Sequence, residues 1–216
     1  MALSHSPTLA HPNDLLLYVD AANTKIPRIG NTTLTENGGV SAPSGGYYTF
    51  DGTDDSYSIS NSVYNQTYAG KTVIVAARMS TSFGSPNLFR AMIGSNGGRN
   101  FNFYIYRDGT GFRFHYSTGS GTLSGSYSSF LNISLNSWFI GAVTETTGGS
   151  VSYYLNGLPA GTASHTFFQY VSGTTEYLGR GDNFWNGDIA YWMVYKRTLT
   201  PQEIQQNYNA LKGRFQ

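Results

Sequence analysis

From Leu15 to Lys196 the chain is a succession of short stretches rich in Val, Ile, Phe, Tyr and Thr, each closed by a cluster of Gly, Ser, Asn or Asp. The stretches fall at 15–20, 47–51, 56–60, 72–79, 88–93, 101–106, 111–116, 127–133, 138–144, 151–156, 175–179 and 188–196. β-Branched and aromatic side chains suit a pleated, half-buried surface, and the punctuating residues suit tight turns. Strands this short and this evenly spaced predict an all-β protein, with two antiparallel sheets packed face to face. At 216 residues the chain buries about 70–75% of its unfolded surface, so one such sandwich needs no metal or disulfide staple.

Two segments indicate how the strands face. In 101–106, Phe101, Phe103 and Ile105 alternate with Asn102, Tyr104 and Tyr106; in 111–116, Phe112, Phe114 and Tyr116 alternate with Arg113 and His115. With Asp108-Gly109 as the turn, the pair reads as a hairpin with one core face and one polar, solvent-facing aromatic face. Ile189 to Val194, by contrast, is apolar on both alternations, which predicts cover on both sides.

The tail carries one helix signal. Thr200 is placed to cap, Pro201 to open the first turn and Glu203 to complete a capping box, with Leu199 and Ile204 as the staple. Ile204, Tyr208 and Leu211 form one apolar stripe, and Gly213 is the expected stop. At the other end, residues 1–13 are polar, contain two prolines and have no periodicity. They read as an arm preceding a domain over 14–216, with His5, Pro7, Leu9, His11 and Pro12 as its candidate partner contacts.

Composition removes several function classes. There are no cysteines, hence no disulfide scaffold, thiolate zinc site or cysteine nucleophile. A net charge of +1 with 12% charged residues and no basic cluster gives no nucleic-acid footprint. No apolar run reaches the roughly eighteen residues of a membrane span. Met1 to Asn13 also lacks the basic and apolar regions of a signal peptide.

Three stretches together resemble the laminin-G-like, concanavalin-A-like jelly-roll family. They are Phe50 to Asp55; Trp138 to Val143 leading to Val151 to Gly157; and Tyr177 to Arg180 followed by Phe184, Gly187 to Ala190 and Tyr195 to Ile204. The resemblance covers about residues 14–211 and implies a two-sheet antiparallel jelly-roll sandwich with a short C-terminal helix. Asp51-Gly52 and Asn156-Gly157 then read as hairpin turns, and Gly187 as a point of close strand entry. The opening Leu17 to Asn23 (LYVDAAN) is similar to the start of such domains in bacteriophage virion proteins.

Catalytic sets are sought and not found. Glycosidases of this shape set carboxylates two apart on one strand, whereas the glutamates here are Glu36, Glu145, Glu176 and Glu203, with no such pattern. No nucleophile elbow supports a serine–histidine arrangement. The resemblance raises calcium, for which Asp54-Asp55 or Asp182-Asn183 would offer oxygens, but neither supplies the six or more that the ion takes; no cofactor is expected. A sugar site needs an exposed aromatic ring with polar groups around it. Asp182, Asn183 and Trp185 form one candidate, and the face bearing Tyr104, Tyr106, Arg113 and His115 another.

The expected function is that of a non-enzymatic bacteriophage virion protein, displayed on the particle surface as a capsid decoration or fibre component and assembled in the host cytoplasm. Its partners would be other virion subunits, with homo-oligomerisation left open. The alternative is a lectin-like adhesin for host surface polysaccharide. Neither reading involves nucleic acid or membrane.

Overall fold

The computed structural model describes residues 8–23, 33–59, 70–80, 89–95, 101–109, 111–118, 125–147, 149–164 and 175–215. Within these lie β1 (Leu15–Asp20), β2 (Leu34–Asn37), β3 (Ser41–Ser44), β4 (Tyr47–Asp51), β5 (Ser56–Ile59), β6 (Gly70–Met79), β7 (Phe89–Ser95) and β8 (Phe101–Asp108). There follow β9 (Gly111–Thr118), β10 (Gly125–Tyr127), β11 (Trp138–Thr146), β12 (Ser150–Leu155), β13 (Leu158–Ser164), β14 (Glu176–Leu178), β15 (Asn186–Tyr195) and the helix α1 (Pro201–Leu211). Among the described residues no helix is long and apolar enough to cross a membrane.

The strands make two antiparallel sheets. One runs β13-β12-β11-β6-β15-β4-β3, with β1 as an eighth strand beside the C-terminal half of β15; the other runs β10-β9-β8-β7-β14-β5-β2. Between them lies a core that includes Tyr48, Phe50, Tyr57, Phe103, Phe114, Tyr116, Tyr153, Trp185 and Trp192. A second apolar cluster sits on the outer face of the eight-stranded sheet, where Tyr18, Ile74, Tyr191, Met193 and Tyr195 pack against Leu199, Ile204 and Leu211. This is the expected sandwich. From Ile189 to Val194 no residue exceeds 1% exposure, because the inter-sheet core and the helix cover β15 from opposite sides.

Local signals act largely as their chemistry dictates. Asn156 (φ 51°) and Gly157 (φ 80°) close the β12–β13 hairpin. Gly187 has φ 137°, and a Cβ there would lie 2.1 Å from the Arg78 carbonyl oxygen, so only glycine lets β15 come this close to β6. The Thr200–Glu203 capping box is complete on both sides. Two turn expectations are corrected. Asp51-Gly52 is not a hairpin: β4 and β5 belong to different sheets, so 52–55 arches across the sandwich edge, although Gly52 does need its φ of 82°. Gly213 is not a left-handed helix stop, because α1 tightens into a 3-10 turn over Lys212–Arg214.

The expected arm is also corrected in part. Residues 8–13 pack onto the domain's own helix. Asn207, buried on α1, accepts the Ala10 N–H at 2.7 Å and donates to the Tyr195 hydroxyl at 3.1 Å. Gln206 donates to the Thr8 carbonyl at 2.9 Å, and His11 Nε2 lies 2.5 Å from Glu203 Oε1. Leu9 packs against the outer cluster and Pro12 begins a 3-10 turn. Leu9 and His11 thus make contacts within the chain, while His5 and Pro7 lie outside the described residues.

Candidate functional site

The two patches predicted from sequence turn out to be neighbours. Tyr127, His115, Tyr104 and Ala91 are direct cross-strand partners on β10, β9, β8 and β7, in one row on the outer face of the seven-stranded sheet. The 179–185 turn folds onto that row: a Cβ on Gly181 would lie 2.9 Å from the Tyr104 ring, and the Tyr104 hydroxyl is 3.5 Å from Asp182 Oδ2.

This packing overturns the expected solvent-facing surface. Tyr104 is 1% exposed and His115 and Trp185 are 0% exposed. Stacked 4.6 Å from Tyr127 and 5.7 Å from Tyr104, the His115 imidazole is pushed by burial down to about 4 and is neutral at physiological pH. Trp185, expected to present its ring to a sugar, instead belongs to the inter-sheet core; its backbone N–H donates to the Gly179 carbonyl at 2.8 Å, on a turn that Gly179 (φ 80°) makes possible. Arg113 stacks over Phe130 at 4.0 Å and faces Asp108 at 3.4 Å, and Tyr106 is half-buried beside Tyr127. Asp182 stays exposed and Asn183 half-exposed, next to Arg180, which lies over both Tyr177 and Phe184.

A different surface combines rings and polar groups in the open. Thr49, Asp188, Arg78 and Trp138 are successive cross-strand partners on β4, β15, β6 and β11, again in one row, on the outer face of the eight-stranded sheet. Arg78 donates from Nε to Asp188 Oδ2 at 2.8 Å and sets Nη2 2.6 Å from the same oxygen, while Thr49 donates to Asp188 Oδ1 at 2.7 Å. Burial works against the Arg78 charge, but Asp188 and Tyr47 more than offset it and raise the pKa. The guanidinium lies 5.2 Å from the Tyr47 ring and 5.1 Å from Trp138, and Trp138 in turn sits 4.8 Å from Phe215. Tyr47, Arg78, Trp138 and Phe215 thereby form a continuous half-buried ledge.

Two hollows flank the ledge. On one side an open groove of about 480 Å³ is lined by Thr49, Asp51, Arg78, Ser80, Asn136, Asn186 and Asp188, among others. With both Asp188 oxygens engaged, the ion pair serves to hold the ledge rigid. Asn136, Asn186 and Asp51 stand on the same wall, and the aromatic ledge adjoins the groove at Arg78. On the other side a pocket of about 190 Å³ is lined by Trp138, Phe139, Ile140, Asn156, Tyr208, Lys212 and Phe215. Such a mixture of ring faces and short polar side chains is what a polyhydroxylated ligand needs.

None of this row was read as a site from sequence, because its members come from four separate strands and meet only through register. The available hint was a lone charge within an otherwise apolar strand: Arg78 in TVIVAARM and Asp188 ahead of IAYWMVY.

The carboxylates group elsewhere. Asp51, Asp54 and Asp55 bring oxygens within 4.8 Å of one another. The arch accounts for them, since Asp51 Oδ1 accepts the Thr53 and Asp54 N–H groups and Asp55 Oδ2 accepts that of Asp51. Three such residues fall short of a calcium shell, so the residues present do not fit that ion. Glu145 and Glu176 are 2% and 1% exposed, and both favour the charged form of Lys71, whose pKa burial lowers. Tyr116 donates to Glu145. These groups face one another inside the sandwich rather than across a cleft.

Two antiparallel sheets in this order with a short C-terminal helix match a concanavalin A-like β-sandwich. Residues 51–205 match the family model Laminin_G_3, concanavalin A-like lectin/glucanases superfamily, and the chain belongs to that family. No curated protein sequence matches the chain. Among solved structures, domain 4 of the extracellular arabinanase AbnA from Geobacillus stearothermophilus, in complex with arabinotriose, superposes with a TM-score of 0.69 at 17% identity, over 90% of this chain and 98% of that one. The botulinum neurotoxin serotype C1 binding domain gives 0.70 at 17%, over 92% and 52%, and the neurotoxin DC binding domain in complex with SialylT gives 0.70 at 15%, over 92% and 51%. The chain thus spans about half the length of those toxin domains, and at these identities the likeness is one of fold.

Proposed function

We propose that this protein is a non-enzymatic carbohydrate-binding module carried on the surface of a bacteriophage particle, as a decoration protein or fibre component. The observation that carries the binding reading is the Tyr47–Arg78–Trp138–Phe215 ledge, fixed by the Arg78–Asp188 pair beside a groove of about 480 Å³ with Asn136, Asn186 and Asp51 on its wall. A sugar ring lies along an aromatic edge while short amides and a carboxylate take its hydroxyls. The absence of catalysis is supported by the carboxylates: Asp188 is held by Arg78 and Thr49, and the buried Glu145 and Glu176 surround Lys71. Solved domains of this fold bound to arabinotriose and to SialylT lend the reading support by analogy.

Titration calorimetry against a panel of plant and bacterial cell-surface oligosaccharides tests it. At least one neutral or acidic oligosaccharide is expected to bind, and Trp138→Ala to weaken it by about ten-fold or more, the scale of one lost stacking contact. Undiminished binding by Trp138→Ala would remove the ledge from the site.

The particle placement rests on the LYVDAAN opening. In the fold this string forms the later part of β1 and the turn after it, where Asp20 accepts from the Tyr18 hydroxyl and the Ala22 N–H and pairs with Arg214 at 3.0 Å. Because residues 8–13 belong to the domain, the segment proposed to attach to other virion subunits narrows to residues 1–7. Deleting it is expected to lower occupancy on purified particles without changing the melting temperature; full occupancy would refute the attachment. A host-surface adhesin is the competing arrangement, in which the free protein binds host cells and particles lacking it still assemble.

A further inference from the structure

We infer that the pocket on the helix side of the ledge receives the carboxylate of an acidic sugar, a uronic or sialic acid unit next to the residue held in the groove. The inference rests on the carbohydrate-binding reading and adds a charge class to it. The polar side chains lining the pocket of about 190 Å³ are Trp138, Asn156, Tyr208 and Lys212. Every one of them offers a donor. Asn156 spends its Oδ1 on the Ile140 N–H at 2.8 Å, which leaves its amide N–H groups. Indole nitrogen and ammonium donate only, and a phenol donates readily. The lining contains no carboxylate, and among the described residues Lys212 has no ion-pair partner; its Nζ lies over the Tyr208 ring at 5.3 Å.

The groove on the far side of Trp138 is different in kind, with Asp51 and Asp188 on its wall. A neutral polysaccharide, in which each hydroxyl both donates and accepts, has no particular need of a pocket so rich in donors and without a carboxylate. An anion does, and charge-assisted bonds from an ammonium are the stronger ones. Lys212 follows directly on the last residue of α1, where a cation also complements the helix dipole. That role asks only for a charge near the carbonyls and does not explain the assembly of three further donors around a hollow.

The test is calorimetry on the full chain with two probes, a galacturonate trisaccharide and the neutral galactose trisaccharide of the same linkage, at low and moderate ionic strength. The uronate is expected to bind about ten-fold more tightly, with the gap closing as salt rises. Lys212→Gln should bring the uronate to within about two-fold of the neutral sugar, whereas Lys212→Arg should keep the preference. Equal affinities for the two probes, or a uronate preference that survives Lys212→Gln and salt, would overturn the acidic-sugar inference. In either case binding that still requires Trp138 would leave the broader reading standing. Failure of both probes and of the wider panel would remove both.

Discussion

Outside the seven-stranded sheet, Tyr127, His115 and Tyr104 lie in a row under the 179–185 turn; outside the eight-stranded sheet, Thr49, Asp188, Arg78 and Trp138 lie in a row beside the end of α1. Both rows alternate with core residues along their strands, and both mix aromatic with polar side chains. The first is sealed: His115 is fully buried and neutral, and the rings pack on one another. The second is left half-open, with Arg78 held charged by Asp188 and sharing two rings. What separates them is the position of the covering segment. The turn at Gly181 comes down on the Tyr104 and Ala91 end of one row, while the helix and residues 8–10 cover the apolar part of the other face and leave Trp138 half-exposed. An exposed functional surface here is the place where the cover ends.

The sharpest test of that contrast pairs two tryptophans. Trp185→Ala, in the sealed region, is expected to cost about 3–5 kcal/mol of stability by chemical denaturation, with no change in sugar affinity for whatever fraction folds. Next comes the pH response of the sealed row. The folded His115 pKa of about 4 lies below the unfolded value of about 6.5, so the unfolded chain takes up the proton first. Stability should be complete above that unfolded value and fall as the pH drops from about 6.5 toward 4, by on the order of 2–3 kcal/mol. His115→Phe should flatten this part of the profile, and an unchanged profile would mean that the imidazole is not sealed.

The helix cover supplies an intermediate effect. Asn207→Ala leaves the Ala10 N–H and the Tyr195 hydroxyl without their partner and is expected to cost about 2 kcal/mol. Amide exchange at Ala10 should rise more than at β8 and β9 if residues 8–13 are pinned as described. At the small end, Trp138→Ala should cost only about 1 kcal/mol, since the ring is half-exposed, while weakening the binding described above. A loss of stability matching that of Trp185→Ala would erase the distinction between the two faces.

Much of the fold is legible in the chain, and what is not follows a rule. The central strands β6, β11 and β15 declare themselves because both their faces are buried. The strands without a signal are β2 (LTEN), β3 (SAPS) and β13 (LPAGTAS), and β10 falls partly outside the stretch expected for it. All four are sheet edges. An edge strand is solvated along one side, tolerates Pro, Gly and Ser, and needs no apolar alternation, so its sequence resembles a loop. Asp51-Gly52 shows a related limit: the glycine's positive φ is encoded locally, but whether the chain turns back within a sheet or crosses to the other is not.

The candidate site was less legible than the fold. Alternation along β8 and β9 gave the correct parity for Tyr104 and His115, yet parity says only which side of the sheet a residue occupies, not what lies on top of it. Trp185, in a polar turn, looks exposed in sequence and is drawn into the core because two flanking glycines let the turn fold inward.

By itself, the sequence determined the things that depend on neighbours a few residues apart. These are strand parity, the Asn156-Gly157 hairpin and the capping box at Thr200, each set by local sterics or by hydrogen bonds within a turn. Only the tertiary structure decided which rows were sealed and which stayed open. Thr49, Asp188, Arg78 and Trp138 become neighbours through the registers of three strand pairings, and register is fixed by the burial of the whole inter-sheet core rather than by any one segment.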